Sequence, residues 1–124
     1  MQKLAAETLT AIGRMTVAAT ELEHLLAWIG ADRAGGDAAA VFAVPGEPLR
    51  AARGAVEFAP PGPRDELRNG IEGAATQLAV SQAALRALWK EGARADAALF
   101  DEVAGRLLRC TDQLHELLRS ALNN

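Results

Sequence analysis

Two short motifs pair a carboxylate with a histidine at a spacing that is used in helical metal sites. Glu21 precedes His24 by three residues, and Asp112 precedes His115 by the same interval. Carboxylate-x-x-His pairs on facing helices bind the metals of di-iron bundles. At about 100° per residue, however, His24 and Asp112 each point away from the apolar stripe of their own segment. We therefore expect both motifs on the surface, and we predict no metal and no cofactor.

Cys110 is the only cysteine in the sequence and the most obvious candidate nucleophile. It lies within the apolar stripe of the last segment, whereas a reactive thiolate needs an accessible, electropositive setting. His115 lies on another face of that segment, too far around the helix to activate the thiol. We predict that Cys110 packs in the core. These residues favour a protein without catalytic activity and leave an unrecognised enzyme as an alternative.

A polar group interrupts the apolar stripe of the middle segment. Ser81 stands at the centre of this stripe, Gln82 is next to it, Arg86 lies at the margin of the stripe, and Trp89 follows on the side of Gln82. Ser81 either donates a hydrogen bond to the carbonyl four residues earlier or belongs to a buried polar network at an interface. The sequence leaves both possibilities open.

The segment from Ser81 to Trp89 resembles a degenerate copy of the motif of HEPN-type helical domains. Those domains carry Arg-Asn, a few residues, and then His, commonly followed by an aromatic residue. Ser81 takes the place of the Arg, Gln82 that of the Asn, and Arg86 that of the His, while Trp89 matches the aromatic. The resemblance implies a dimer in which the motif helices of two protomers meet. It also implies a nuclease-dead protein, because the His that would transfer a proton is missing.

The apolar periodicity predicts an all-α fold with three long helices, at about residues 2–31, 64–91 and 97–121. Two short helices, at about 38–43 and 49–58, lie between the first two. Glycines at position 30 and at positions 35–36 are expected to end the first helix, and Asp37 and Asp96 are expected to cap the helices that follow them. The sequence thus predicts an antiparallel up-and-down bundle forming a single domain over residues 1–124.

Each long helix has a regular apolar stripe that should face the core. In the first helix the stripe is Met15, Ala19, Leu22, Leu26 and Ile29. In the second it is Leu67, Ile71, Ala74, Leu78, Ser81, Leu85 and Leu88, and in the last it is Phe100, Val103, Leu107, Cys110, Leu114, Leu117 and Ala121.

Apolar residues outside these stripes indicate a second buried surface. They are concentrated on the first and last helices: Val17, Leu25, Trp28, Leu99, Leu108, Leu118 and Leu122. Since a monomeric bundle needs one stripe per helix, we predict self-association, with Val17, Leu25 and Trp28 as candidate interface residues. The alternative is that the short helices cover this surface.

Charge and composition narrow the choice of partners. The net charge of −3 disfavours nucleic acid, and no apolar run is long enough for a membrane helix. One unpaired cysteine and the lack of a signal-peptide pattern lead us to expect a cytoplasmic protein. The favoured function is a non-catalytic dimerisation or protein-interaction module, with a homodimer or the product of a neighbouring gene as partner. The alternatives are an RNA-binding or RNA-cleaving protein and a binder of small apolar ligands.

Overall fold

The computed structural model describes residues 4–90 and 96–122, and these residues form helices joined by short connections. The helices are α1 (Ala6–Ala34), α2 (Ala38–Phe42), α3 (Glu47–Ala55), α4 (Pro61–Ala87) and α5 (Ala97–Leu122), with a 3-10 turn over Val56–Phe58. No strand occurs among the described residues. The predicted fold class, with three long helices and two short ones between the first and second, is confirmed.

The three long helices run up, down and up, so the first and last are parallel neighbours. An ion pair joins Arg14 of α1 to Asp101 of α5 near the beginning of both helices. Gly70, early in α4, faces Leu114 and Leu117, late in α5, so α4 and α5 are antiparallel. Helix α5 packs extensively on both of the other long helices, while α1 and α4 contact each other only slightly. The short helix α3 covers the other side of α1.

The core lies between α1 and α5, with α3 and α4 completing it, and Phe100 is its only aromatic residue among the described residues. The predicted stripe of α1 is buried throughout, and Leu107 and Leu114 of α5 are fully buried. In α4, Ile71 and Ala74 are fully buried, whereas Leu78 and Leu85 are only half-buried at the edge of the core. Cys110 is half-buried and packs against this cluster.

Gly30 does not end the first helix, contrary to the prediction. Helix α1 continues through it to Ala34 and ends at Gly35, which has a left-handed φ of 72°. Gly30 is instead buried where α1 crosses α3, and a Cβ atom there would lie 2.4 Å from the Cβ of Ala51. This glycine therefore serves close packing. The predicted beginning of α1, at residues 2 and 3, lies outside the described part of the chain.

Two of the predicted helix starts have the expected caps. The Asp37 carboxylate accepts a hydrogen bond from the amide of Ala39 at 3.0 Å, and the Asp96 carboxylate accepts one from the amide of Ala98 at 2.9 Å. Each satisfies an amide that has no partner within the first turn of its helix.

Other helix boundaries differ from the prediction by a few residues. Helix α3 begins at Glu47, because Pro48 fits the first turn, and its last predicted residues form the 3-10 turn. Helix α4 begins at Pro61, since prolines suit positions where amides have no acceptor. It ends at Ala87, before the predicted end at residue 91. Residue 91 itself lies outside the described residues.

Candidate interaction surface

The outer side of the parallel pair α1 and α5 carries a long groove that forms two hollows. We call this surface the α1/α5 face. It consists of Gly13, Arg14, Val17, Glu21, His24 and Trp28 from α1 and Asp101, Gly105, Leu108, Thr111 and His115 from α5. Val17 and Glu21 line both hollows, so the groove is continuous along the seam between the helices.

The upper hollow has a volume of about 670 Å³ and brings the two histidines of the sequence to one place. His24 comes from α1 and His115 from α5, and Trp28 and Phe42 line the same hollow. The His24 ring meets the Phe42 ring edge to face, with ring centroids 5.4 Å apart. This geometry is the one that aromatic rings prefer, so the short helix α2 helps to orient the imidazole.

Three threonines also line the upper hollow, but their hydroxyl hydrogens are already engaged. Thr16 donates to the carbonyl of Ile12 at 2.8 Å, Thr20 to that of Thr16 at 2.8 Å, and Thr111 to that of Leu107 at 3.2 Å. Each threonine therefore presents its methyl group and an acceptor oxygen to the hollow. Hydrogen-bond donors in this hollow come from the imidazoles and the indole of Trp28.

The lower hollow, of about 510 Å³, is lined by small side chains. Its floor is formed by Gly13 and Ala18 of α1 and by Ala104 and Gly105 of α5. The Arg14–Asp101 ion pair, with an N–O distance of 2.7 Å, borders it. A Cβ atom on Gly13 would meet no atom within 4 Å, so this glycine is not required by packing inside the chain.

Large apolar side chains are exposed along this face. Val17 is 58% exposed, Trp28 42% and Leu108 46%. Leu25, which the sequence grouped with Val17 and Trp28, is instead only 7% exposed and belongs to the core of the chain. Val17 and Trp28 are thus exposed, while Leu25 is a core residue that also lines the upper hollow.

The two carboxylate-x-x-His motifs do not assemble into a metal site. Glu21, His24 and His115 share the upper hollow, and Asp112 is exposed on α5. Within residues 4–90 and 96–122, no three histidine, cysteine or acidic side chains are placed to hold one ion. Glu21, His24 and His115 thus place hydrogen-bonding groups in the upper hollow without forming a set of three ligands for one ion among the described residues.

Cys110 is poorly suited to act as a nucleophile. Partial burial raises the pKa of its thiol, and the nearby Arg109 opposes this shift without cancelling it. Since the thiolate is the reactive form, this environment keeps the sulfur protonated. Cys110 is a packing residue on the α5 side facing the core.

The residues that resemble the HEPN-type motif are divided between the interior and the surface. Ser81 is 2% exposed and donates a hydrogen bond to the carbonyl of Leu78, three residues earlier, at 2.7 Å. Gln82 and Arg86 are exposed, and Trp89 is 67% exposed just beyond the end of α4. Of the two possibilities left open by the sequence, the local hydrogen bond is the one observed, with a carbonyl one residue closer than expected.

Gln82 also borders a third groove, of about 340 Å³, between α1, α3 and α4. Glu23, Pro48, Leu49 and Leu78 line it as well. The partial burial of Glu23 raises the pKa of its carboxyl group. A bidentate ion pair between Arg53 of α3 and Glu72 of α4 ties two of these helices together, with both N–O distances at 2.8 Å.

No protein-family model, curated protein or solved structure matches the chain. Among the described helices, none is long and apolar enough to cross a membrane.

The sequence did not reveal that Phe42, Gly13 and Gly105 contribute to one surface. Each is unremarkable in its own segment. Gly13 and Gly105 come together because α5 returns parallel to α1, and Phe42 joins them because α2 packs on α1 beside His24. The up-down-up order of the three long helices predicts that the first and last helices are parallel. The apolar periodicity does not predict on which sides these two helices meet, and so it does not predict the seam that they expose.

Proposed function

We propose that the protein is a non-catalytic helical interaction module that forms a homodimer through the α1/α5 face. The observation that carries this proposal is the row of exposed Val17, Trp28 and Leu108 along the seam between α1 and α5. Exposed apolar side chains on neighbouring elements are typical of protein–protein contacts, with Trp common among the residues that dominate binding.

The chemistry of the described residues supports a binding role. The Ser81 hydroxyl is committed to a backbone carbonyl, and burial raises the pKa of the Cys110 thiol. His24 packs its ring against Phe42. Ser81 has a backbone carbonyl as its hydrogen-bond partner and not the imidazole or carboxylate that activates a nucleophile.

The surface charges favour a protein partner over RNA. Six arginines pair with carboxylates: Arg14, Arg50, Arg53, Arg68, Arg106 and Arg119. A guanidinium already paired with an acid neutralises a phosphate poorly. RNA affinity depends on such neutralisation, so a paired surface in a chain of net charge −3 supports weak RNA binding at most.

Light scattering after size exclusion tests the proposal directly. Wild type should have about twice the 13.0 kDa mass of the chain. Val17→Lys and Leu108→Lys should each convert the dimer into a monomer, because a charge would be buried in an apolar contact. Phe58→Lys is the matched control, since Phe58 is 69% exposed and lies outside this face. A wild-type monomer at high micromolar concentration would contradict the proposal and favour a binder of small apolar ligands.

The resemblance to HEPN-type domains implies a different dimer surface, centred on Arg86. That proposal is supported by the exposure of Gln82, Arg86 and Trp89 on one side of the end of α4. Arg86→Glu separates the two surfaces. If Arg86→Glu dissociates the dimer while Val17→Lys leaves it intact, the α4 surface is the interface and the protein resembles a nuclease-dead HEPN-type dimer.

A further inference from the structure

Resting on the proposed homodimer, we infer how the two copies are arranged: α1 packs antiparallel to the partner's α1, and Trp28 inserts into the partner's lower hollow. The occupant of the face is thus a second copy of this chain. Three features of the described residues lead to this arrangement: the position of Trp28, the position of the lower hollow, and the charges between them.

Trp28 and the lower hollow lie at opposite ends of the same groove. Trp28 is near the end of α1, while the α1 residues that line the hollow run from Gly13 to Glu21 and are centred on Val17. The point midway between Val17 and Trp28 lies between residues 22 and 23. A two-fold axis that lies in the interface and crosses α1 near residue 22 therefore places each Trp28 over the hollow of the other copy. Contacts across such an axis are reciprocal, so both hollows are filled at once.

The hollow suits an indole in size and lining. Its volume of 510 Å³ exceeds that of a tryptophan side chain, and its lining surface is apolar apart from the bordering Arg14–Asp101 pair and Glu21. Glycine destabilises the middle of a helix relative to alanine. Gly30 packs against Ala51 and Gly70 against Leu114, and these contacts explain why both positions are glycine. Gly13 has no such neighbour within the chain. A Cβ on Gly54 or Gly73 likewise meets nothing, but Gly13 differs in lining the lower hollow, where the missing side chain leaves room for an incoming one.

The same axis aligns complementary polar groups. With the axis near residue 22, Glu21 lies opposite the partner's His24, so a carboxylate meets an imidazole that can donate a hydrogen bond. Helix α5 lies beside this part of α1, so the axis also passes over α5. It does so between Arg109 and Asp112, which are both exposed. Arg109 of one copy can therefore pair with the partner's Asp112.

The alternative two-fold arrangement lacks this complementarity. If the axis ran along the helices, the copies would be parallel and each residue would sit at the height of its own equivalent. Glu21 would then be level with the partner's Glu21, and both lower hollows would remain empty. The antiparallel arrangement both fills the hollows and pairs opposite polar groups, and for this reason the geometry points to it.

Cysteine cross-linking distinguishes the two arrangements. In a Cys110→Ser background, Glu21→Cys places two thiols near the axis, about 4.5 Å apart along the helix direction at 1.5 Å per residue. Thr10→Cys, which is also exposed on α1, would lie about 38 Å from its equivalent by the same measure. Under mild oxidation, Glu21→Cys should give a covalent dimer and Thr10→Cys should not. Equal cross-linking of Thr10→Cys would overturn the antiparallel arrangement.

Filling the hollow gives an independent test. Gly13→Met should keep the helical circular dichroism of wild type, because a Cβ at this position meets nothing within the chain. It should nevertheless raise the dimer dissociation constant at least tenfold by excluding the partner's Trp28. Gly54→Met is the matched control, since a Cβ on Gly54 in α3 also meets nothing. An unchanged dissociation constant for Gly13→Met would refute the insertion of Trp28.

These experiments separate failure of the arrangement from failure of the proposed function. A dimer by light scattering that resists cross-linking through Glu21→Cys means that the copies dimerise by another geometry. A wild-type protein that is monomeric in the same measurement means that the homodimer itself is wrong.

Discussion

Gly30 of α1 lies directly against Ala51 of α3, so that a Cβ on Gly30 would be 2.4 Å from the Ala51 Cβ and 2.7 Å from its carbonyl carbon. Part of this contact is with backbone, which cannot rotate away as a long side chain can. The close crossing of α1 and α3 therefore requires a residue without a Cβ atom at position 30. This crossing also holds α3 on the side of α1 opposite α5.

Gly30→Ala should destabilise the protein by about 1–3 kcal/mol, the usual cost of overpacking a tight core. The measurement is the free energy of unfolding from urea denaturation. Gly73→Ala is the control, because a Cβ on Gly73 in α4 meets nothing within 4 Å. Since alanine favours a helix over glycine, the control should be more stable than wild type by about 0.5–1 kcal/mol. If Gly30→Ala were as stable as this control, the close contact between α1 and α3 would be wrong.

The error in placing Gly30 at a helix end shows where sequence reasoning reaches its limit. A glycine within an apolar periodic segment either ends the helix or allows another element to approach. The choice depends on whether a partner such as Ala51 packs there, and that partner is 21 positions away along the chain. The stripes through Leu22, Ile71 and Leu107 were predictable because periodicity is a local property, and all three residues are fully buried.

The candidate surface was only half predictable for the same reason. The exposure of Val17 and Trp28 follows from their position on α1, outside its stripe. Leu25 also lies outside the stripe, yet it is buried because neighbouring helices wrap further around α1 than one stripe requires. The meeting of His24 and His115 depends on the lateral packing of α5 against α1, which local periodicity does not determine.

Leu114→Ala should lower the free energy of unfolding by about 2–5 kcal/mol, the range for removing a fully buried leucine. Leu114 is 0% exposed and packs against Gly70 of α4. Leu78→Ala should cost less than Leu114→Ala, because Leu78 is only half-buried. Asp112→Ala, at an exposed site two residues from Leu114, should change stability by less than about 0.5 kcal/mol. Equal losses for Leu114→Ala and Asp112→Ala in urea titrations would contradict the observed core.

Glu23→Gln should remove a pH dependence of stability. Partial burial raises the pKa of the Glu23 carboxyl group in the folded protein, so the folded state binds the proton more tightly than the unfolded state. Stability therefore decreases as pH rises from the unfolded value of about 4.5 through the higher folded value. Above that window, Glu23→Gln should be the more stable protein, and below it the difference should narrow.

Urea denaturation of wild type and Glu23→Gln at pH values from 4 to 7 measures this effect. Glu66→Gln is the control, at an exposed position of α4 that lies outside the α1/α5 face. A Glu23→Gln protein that becomes less stable relative to wild type as pH rises would mean that the carboxylate is stabilised, and not desolvated, in the groove beside Leu78.

RNA incubated with the wild-type protein should remain intact, with or without divalent metal. At the position where HEPN-type domains carry the catalytic His, the chain has Arg86, whose guanidinium offers hydrogen-bond donors and no acceptor and so cannot act as a base. Ser81, in the place of the motif Arg, is buried and bonded to the Leu78 carbonyl, so it cannot reach a phosphate.

Any RNA binding should be weak and decline steeply as salt rises, because it would rest on a few phosphate contacts. Gel analysis of RNA with wild type and Arg86→Ala should therefore show no cleavage in either lane. Cleavage by wild type that Arg86→Ala abolishes would show that the protein is an active nuclease and that the interaction-module proposal is wrong.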